Sequence, residues 1–217
     1  MTCDPAPMTD GTTGSGDRRR RVIIAGHQGD EATARSGLSD DDPDVRASAL
    51  GALDRLGRLR PAELFEALAD PSPAVRRRAC ELAAVRPEVD LLASLHDPDP
   101  SVVEVAAWAC GEQIEHVDAL SDPVIERLVA LATGADEPLV REACAAALGA
   151  IGDERGRVAI LAACEDKPHV RRRSVLALAP FDGPDIEAAI DRALTDRDWQ
   201  VRQAAEDLRR ASGERPL

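Results

Sequence analysis

The chain has 217 residues, of which 44% are apolar, 2% are aromatic and 31% are charged, and its formal net charge is −13. This length suits one substantial domain, and the sequence has no apolar run of about 18 residues that could cross a membrane. The first residues also lack the apolar core of a signal peptide, so we expect a cytoplasmic protein with no membrane partner. The acidic charge argues against nucleic acid as a partner, because it repels phosphates.

The composition changes along the chain and predicts a repeat domain between two tails. Residues 1–16 are rich in Gly, Thr, Ser, Pro and Asp without periodicity, which predicts a disordered N-terminal tail. Helix and turn signals alternate over residues 17–213 and predict a single repeat domain, which a short tail at 214–217 follows. The segment 17–28 is a candidate N-terminal cap, although its apolar stretch Val22–Ala25 is too short to distinguish a helix from a strand.

A short phrase recurs six times in this domain. It consists of an acidic or polar turn, a proline in five of the six copies, and a valine that arginine follows in five copies. The copies follow one another about every 30 residues, a period typical of stacked helical repeats. The valines that anchor the copies are Val45, Val75, Val102, Val140, Val170 and Val201.

Each copy of the phrase predicts the start of a helix, which we call the B helix of the repeat. The turn residue can accept hydrogen bonds from the free amides of the first helical turn. Proline suits that turn because its missing amide would have no partner there. A shorter A helix is expected before each turn. The expected A helices cover residues 30–38, 61–69, 87–95, 123–133, 154–163 and 184–194.

The periodicity of the B helices predicts which of their residues are buried. At 100° per residue, the anchor valine and the positions four and eight later share one face and form a core stripe. The arginine after the valine lies on the flank of this stripe, where it can reach an acidic turn of its own or an adjacent repeat. We expect these arginines to have a structural role and call them the arginine ladder. Its members are Arg46, Arg76, Arg141, Arg171 and Arg202, and the third repeat has Val103 instead.

Two segments resemble the HEAT-repeat family, specifically the short bacterial HEAT-like repeats also found in phycobilisome lyases. Asp97–Val103 resembles the turn and helix start of that family, and Ala147–Arg155 resembles its link between repeats. The resemblance extends over roughly residues 29–212 and implies an all-α fold, a right-handed α-solenoid of about six HEAT-like helix pairs. It also implies B helices on the concave side and a role in protein binding, scaffolding or assembly.

The exposed face of the B helices is the candidate binding surface. On this face, Glu104, Trp108 and Glu112 follow one another at spacings of four residues, within a segment, 88–126, that has no Lys or Arg. Such a surface could bind a protein with a basic segment through cation–π contact and ion pairing. Alternatively, Trp108 wedges between helices where the repeat spacing widens. The other candidate binding residues on this face are Arg77, Glu81, Glu142 and Arg172.

The sequence offers no pattern for catalysis. It has no Cys/His spacing for zinc, no glycine-rich phosphate loop and no nucleophile motif, so we expect no metal, no cofactor and no enzymatic activity. Cys80, Cys110 and Cys144 fall at apolar helix positions and are expected to be buried.

The preferred interpretation is therefore a non-enzymatic scaffold or adaptor that binds another protein through the B-helix face. By analogy with the family alone, an accessory lyase or chaperone for a tetrapyrrole-carrying protein is the alternative. Two further interpretations remain open: a subunit that only joins a larger assembly, and an acidic partner or a phosphate held by Arg76–Arg78 and Arg171–Arg173. The sequence leaves the partner and the oligomeric state undetermined.

Overall fold

The computed structural model describes residues 14–116, 120–211 and 213, and within these ranges the secondary structure is helical, without strands. The all-α class, a solenoid of helix pairs, is confirmed. The C-terminal tail and most of the N-terminal tail lie outside the described residues, but Ser15 and Gly16 already belong to the first helix. The chain divides after Arg60 into two compact units.

The first unit contains α1 (Ser15–Gln28), α2 (Glu31–Ser36) and α3 (Pro43–Arg55). The candidate cap is thus a helix, and the strand alternative for its apolar stretch is wrong. Glycine at position 29 ends α1 in the left-handed conformation, with φ of 83°. The core of this unit consists mainly of small and branched apolar side chains. They are Val22, Ala25, Ala34, Val45, Ala49, Ala52 and Leu53.

The second unit is a stack of helices. Within the described residues these are α4 (Pro61–Leu68), α5 (Pro73–Ala83), α6 (Pro100–Gln113), α7 (Asp122–Gly134), α8 (Pro138–Ile151), α9 (Arg157–Ala163), α10 (Pro168–Ala177), α11 (Pro184–Leu194) and α12 (Trp199–Ala211). The B helices α5, α6, α8, α10 and α12 pack against one another in that order. The helices α4, α7, α9 and α11 are A helices that pack against the B helix that follows them.

The recurring phrase begins each B helix as expected. Five B helices have proline in their first turn, and α12 begins at Trp199. The side chains of Asp42 and Asp99 accept hydrogen bonds from amides inside α3 and α6, at 2.8 and 2.9 Å. All six anchor valines are at most 2% exposed, so the core stripe predicted from the sequence is confirmed.

The A helix expected over residues 87–95 does not form. This segment consists of turns and ends in a short 3₁₀ helix, Ser94–His96. The side chain of Asp90 accepts from the Leu92 amide at 2.8 Å, a local bond that competes with helix formation. The buried Gln113 of α6 stabilises the turns, because its side-chain amide donates to the carbonyls of Ala83, Arg86 and Val89 at 3.0–3.1 Å.

Small residues allow the B helices to approach closely. A Cβ atom at Gly149 of α8 would lie 2.6 Å from the Cα atom of Ala177 in α10, and one at Gly111 of α6 would lie 3.0 Å from the Cα atom of Ala147 in α8. Since these neighbours are backbone atoms, they cannot move without shifting a helix.

We expect Gly149→Ala to lower the free energy of unfolding by about 1–3 kcal/mol, because the added methyl group forces α8 and α10 apart. Gly134→Ala is the matched control, since nothing lies within 4 Å of a Cβ atom there. The control should leave stability unchanged or raise it by up to about 1 kcal/mol. Urea denaturation followed by circular dichroism measures both changes. Equal effects of the two substitutions would contradict the close approach.

Candidate functional site

The arginine ladder connects three of the B helices, α5, α8 and α10, to two turns each. Arg76 of α5 donates from Nε and Nη2 to the two carboxylate oxygens of Asp97, in the turn of the next repeat, at 2.6 and 2.9 Å. Its Nη1 donates to the carbonyls of Asp70 and Pro71, in the turn of its own repeat, at 2.8 and 3.1 Å. One guanidinium group thus holds two consecutive turns together in a planar, bidentate geometry.

Two further members of the ladder repeat this arrangement. Arg141 bonds both carboxylate oxygens of Asp166 at 2.5 and 2.9 Å, and the carbonyl of Ala135 at 2.6 Å. Arg171, which is 7% exposed, bonds both oxygens of Asp196 at 2.9 and 2.7 Å. The hydrogen bonds from Arg141 and Arg171 lower the pKa of the two aspartates, so both carboxylates are ionised near neutral pH.

The first and last members of the ladder also contact the turns of their own repeats. Arg46 donates to the Asp40 carbonyl, and Arg202 donates to the Asp196 carbonyl, at 2.9 and 2.8 Å. The Asp40 carboxylate accepts two bonds from Arg18 of α1, at 2.8 and 2.9 Å. Arg18 lies outside the recurring phrase, so the only signal for this contact in the sequence was an arginine cluster close to an acidic turn.

The ladder is interrupted between the third and fourth repeats. The arginine position after the valine is occupied by Val103, which is 6% exposed. The turn position five residues before the valine holds Asp97 before Val102 and Asp196 before Val201, but Ala135 before Val140. Both of these positions of the ladder therefore hold apolar residues. Near this junction, Arg127 of α7 donates to the Leu95 carbonyl at 3.1 Å and connects the same two repeats by another route.

We expect Arg171→Ala to lower the free energy of unfolding by about 3 kcal/mol, because it leaves the mostly buried Asp196 carboxylate without its partner. Arg171→Lys should lower it by about 1–3 kcal/mol, since an ammonium group cannot reproduce the bidentate contact. Arg172→Lys, at the half-buried neighbouring position of the same helix, is the control and should change stability by less than about 0.5 kcal/mol. Urea denaturation measures these changes in the free energy of unfolding. If Arg171→Ala left it unchanged, the contact would add nothing to stability.

A double-mutant cycle at positions 103 and 135 tests the interruption of the arginine ladder. Val103→Arg alone should destabilise the protein by about 1–3 kcal/mol, because a longer, charged side chain replaces a buried valine. Ala135→Asp in the same chain should restore part of this loss, with a favourable coupling of about 1 kcal/mol in a double-mutant cycle. If the two effects simply add, residues 103 and 135 do not occupy matching positions of the ladder.

A groove runs between α6 and α8 on the exposed side of the B helices. Its volume is about 680 Å³. One wall carries the glutamates and the tryptophan of α6, and the other wall consists mainly of alanine. The lining residues are Glu81, Glu104, Val105, Trp108, Gly111, Glu112, Leu139, Glu142, Ala143, Ala146, Ala147, Ala150 and Arg173. We call this the α6–α8 groove.

The structure brings five of the seven candidate binding residues into this groove: Glu81, Glu104, Trp108, Glu112 and Glu142. Trp108 is 45% exposed, so the alternative in which it wedges between helices is wrong. Its exposure could not be read from the sequence, because it depends on how closely the neighbouring B helix approaches.

The other two candidates, Arg77 and Arg172, do not line the groove. Arg77 lies 3.5 Å from Glu81, one turn along α5. Arg173, which follows Arg172, lines the groove instead, and its Nε lies 3.9 Å from a carboxylate oxygen of Glu142. The sequence placed Arg173 only in a basic cluster and did not select it for this face.

The carboxylates of the groove fall into two classes. Glu81 accepts a hydrogen bond from Arg78 at 2.7 Å, and Glu142 faces Arg173. Within the described residues, neither Glu104 nor Glu112 has a hydrogen-bond or ion-pair partner for its side chain. The groove therefore combines an exposed indole with two uncompensated negative charges, and it favours a cationic, partly apolar group.

The described cysteines are poorly suited to redox or nucleophilic chemistry. Burial raises the pKa of the Cys80 thiol to about 11 and that of the Cys110 thiol to about 12. The Cys144 pKa is also raised by burial. Such thiols stay protonated near neutral pH and act as small apolar side chains. Among the described residues, no group of three His, Cys, Asp or Glu side chains could hold a metal ion.

Comparison with known proteins supports the repeat assignment. Residues 88–169, which include both walls of the α6–α8 groove apart from Glu81 and Arg173, match the family of HEAT repeats. A designed armadillo repeat protein in complex with the peptide (KR)4 is similar in structure, with a TM-score of 0.56. It is 16% identical, and the similarity covers 92% of this chain and 99% of that one. At this identity the likeness concerns the fold alone.

Human deoxyhypusine hydroxylase in complex with glycerol has a TM-score of 0.45 and 18% identity, with 91% of this chain and 80% of that one covered. No curated protein matches the sequence. None of the helices in the described ranges is long and apolar enough to cross a bilayer. The phycobilisome-lyase type of repeat, and with it the tetrapyrrole alternative, stays a prediction.

Proposed function

We propose that this protein is a HEAT-repeat scaffold or adaptor that binds another protein in the α6–α8 groove. The observation that carries the proposal is the exposed Trp108 between two glutamates that have no partner in the described structure. Elsewhere on the B helices, charged side chains are mostly paired within the chain. A large aromatic side chain in a concave site is the residue type that contributes most to protein interfaces.

The shape of the groove suits a protein segment better than a small reactive substrate. Alanine and glycine form much of its surface, so the backbone of a partner can approach the helices closely. The site is open, and it contains no His or Cys side chain that could serve as a base or nucleophile among its lining residues. What the groove offers is contact area, one aromatic ring and negative charge.

The charge of the groove favours a partner with a basic segment. Between residues 88 and 126 the sequence has no Lys or Arg, so few internal cations compete for this part of the surface. The structurally similar armadillo repeat protein binds a peptide of alternating lysine and arginine. Its fold supports the idea that stacked helices can present a surface for such a segment, while the residues that bind it here are inferred from this groove alone.

A binding experiment with immobilised protein and an extract of its source cells tests the proposal. We expect quantitative mass spectrometry to recover partners with the wild type, and we expect Trp108→Ala or Glu104→Arg to reduce their recovery at least about tenfold. The first substitution removes the aromatic contact, and the second reverses the charge beside it.

Glu206→Arg is the matched control. Glu206 is exposed on α12, outside the groove, so reversing its charge changes the net charge by the same amount but should leave partner recovery intact. Unfolding midpoints of all variants show whether each one is folded. If the folded Trp108→Ala and Glu104→Arg variants recover the same proteins as the wild type, the groove is not the binding site.

A further inference from the structure

We infer that the α6–α8 groove selects arginine over lysine in an extended segment of its partner, with the guanidinium group stacked on the Trp108 indole and paired with Glu104 and Glu112. This inference rests on the proposed function and specifies the chemistry of the partner. It follows from the spacing of three side chains on α6, from the ion pairs elsewhere on the B-helix face, and from the dimensions of the groove.

The three side chains form a compact cation site. Residues at spacings of four lie about 6 Å apart along a helix, so one carboxylate flanks the indole on each side. Trp108 is 45% exposed and can offer a ring face to a cation. A planar guanidinium stacks on such a ring and donates hydrogen bonds from its edges, where both glutamates can reach it. A lysine ammonium is smaller and more strongly hydrated, so it would gain less from the indole.

The ion pairs around the groove limit the free negative charge to α6. On α5, Glu81 is engaged by Arg77 and Arg78, and on α12, Arg210 lies 2.9 Å from a carboxylate oxygen of Asp207. On α8, Glu142 faces Arg173. These contacts show that guanidinium groups already neutralise carboxylates on this face of the protein. Glu104 and Glu112 are left for a cation that comes from outside.

The dimensions of the groove suit an extended segment. The helix α6 has 14 residues and is therefore about 21 Å long, which corresponds to about six residues of extended chain. Opposite Trp108, the wall of α8 carries Ala143, Ala146 and Ala147, whose small side chains leave room for a peptide backbone. Leu139 is 53% exposed near one end of the groove and can cover an apolar side chain of the segment.

Three short peptides of matched length test the inference. They alternate alanine with arginine, lysine or citrulline over six residues, and each carries fluorescein for anisotropy. Arginine and lysine peptides have the same charge, so a difference between them reports the guanidinium rather than the net charge of the protein. We expect the arginine peptide to bind about 5-fold more tightly than the lysine peptide, and the citrulline peptide to bind at least 10-fold more weakly than the arginine peptide.

Substitutions in the groove show which of its residues cause the preference for the arginine peptide. Glu104→Gln and Glu112→Gln should each weaken arginine-peptide binding about 3- to 10-fold, whereas Glu206→Gln should not change it. Trp108→Leu keeps an apolar side chain but removes the ring, so the preference for arginine should fall toward 1. Trp108→Phe should keep part of it. In a Trp199→Phe background, Trp108 is the only tryptophan, and its emission should change when the arginine peptide binds.

The results distinguish a failure of the arginine site from a failure of the proposed function. Equal affinities for the arginine and lysine peptides, or a preference that survives Trp108→Leu, would overturn the arginine site. If partner recovery from the extract still depends on Trp108 in that case, the groove binds protein through other contacts and the proposed function stands. If neither the peptides nor the recovered partners depend on Trp108, both conclusions are wrong.

Discussion

The bidentate contact between an arginine of one repeat and an aspartate of the next determines how the second unit is built. Its core is made of alanine, valine and leucine with few aromatic residues, so the helices lie close together and have little bulk to fix their orientation. The guanidinium of Arg76, for example, joins Asp70 and Pro71 carbonyls to the Asp97 carboxylate in one plane. Such a contact specifies the geometry between neighbouring turns, and only arginine has the donors to make it.

The positions of the turns also determine which face of the B helices stays accessible. Because each turn begins a B helix, fixing the turns aligns the B helices of the second unit. Their side chains at positions two and six after the valine are then exposed or half-buried. The junction between α6 and α8 lacks the arginine–aspartate contact and relies on the close approach of Gly111 to Ala147 and on the Arg127 bond to Leu95. The α6–α8 groove, with the exposed Trp108, lies at this same junction.

Local rules were readable from the sequence, whereas contacts between distant segments were not. The buried valines and the helix starts follow from periodicity and from proline, which act within a few residues. The missing A helix at 87–95 depends on Gln113, more than twenty residues away, whose amide holds the carbonyls of the turns. The Arg18 contact to Asp40 and the exposure of Trp108 likewise depend on packing between helices. The sequence therefore identified the candidate groove residues on α6 but could not decide whether Trp108 faced solvent, and it missed Arg173.

The unpaired carboxylates of Glu104 and Glu112 constrain the chemistry of a partner more strongly than Trp108 does. Glu112 is exposed and Glu104 is half-buried at the open groove, so both carboxylates can be hydrated and leaving them unpaired costs little. A partner that covers Trp108 would remove much of that water, and an uncompensated carboxylate would then oppose binding. An apolar ligand could use the indole but would leave both charges unsatisfied, whereas a cationic side chain satisfies them and covers the ring at once. If the groove binds a protein as proposed, it discriminates against purely apolar partners by the same residues that attract a basic one.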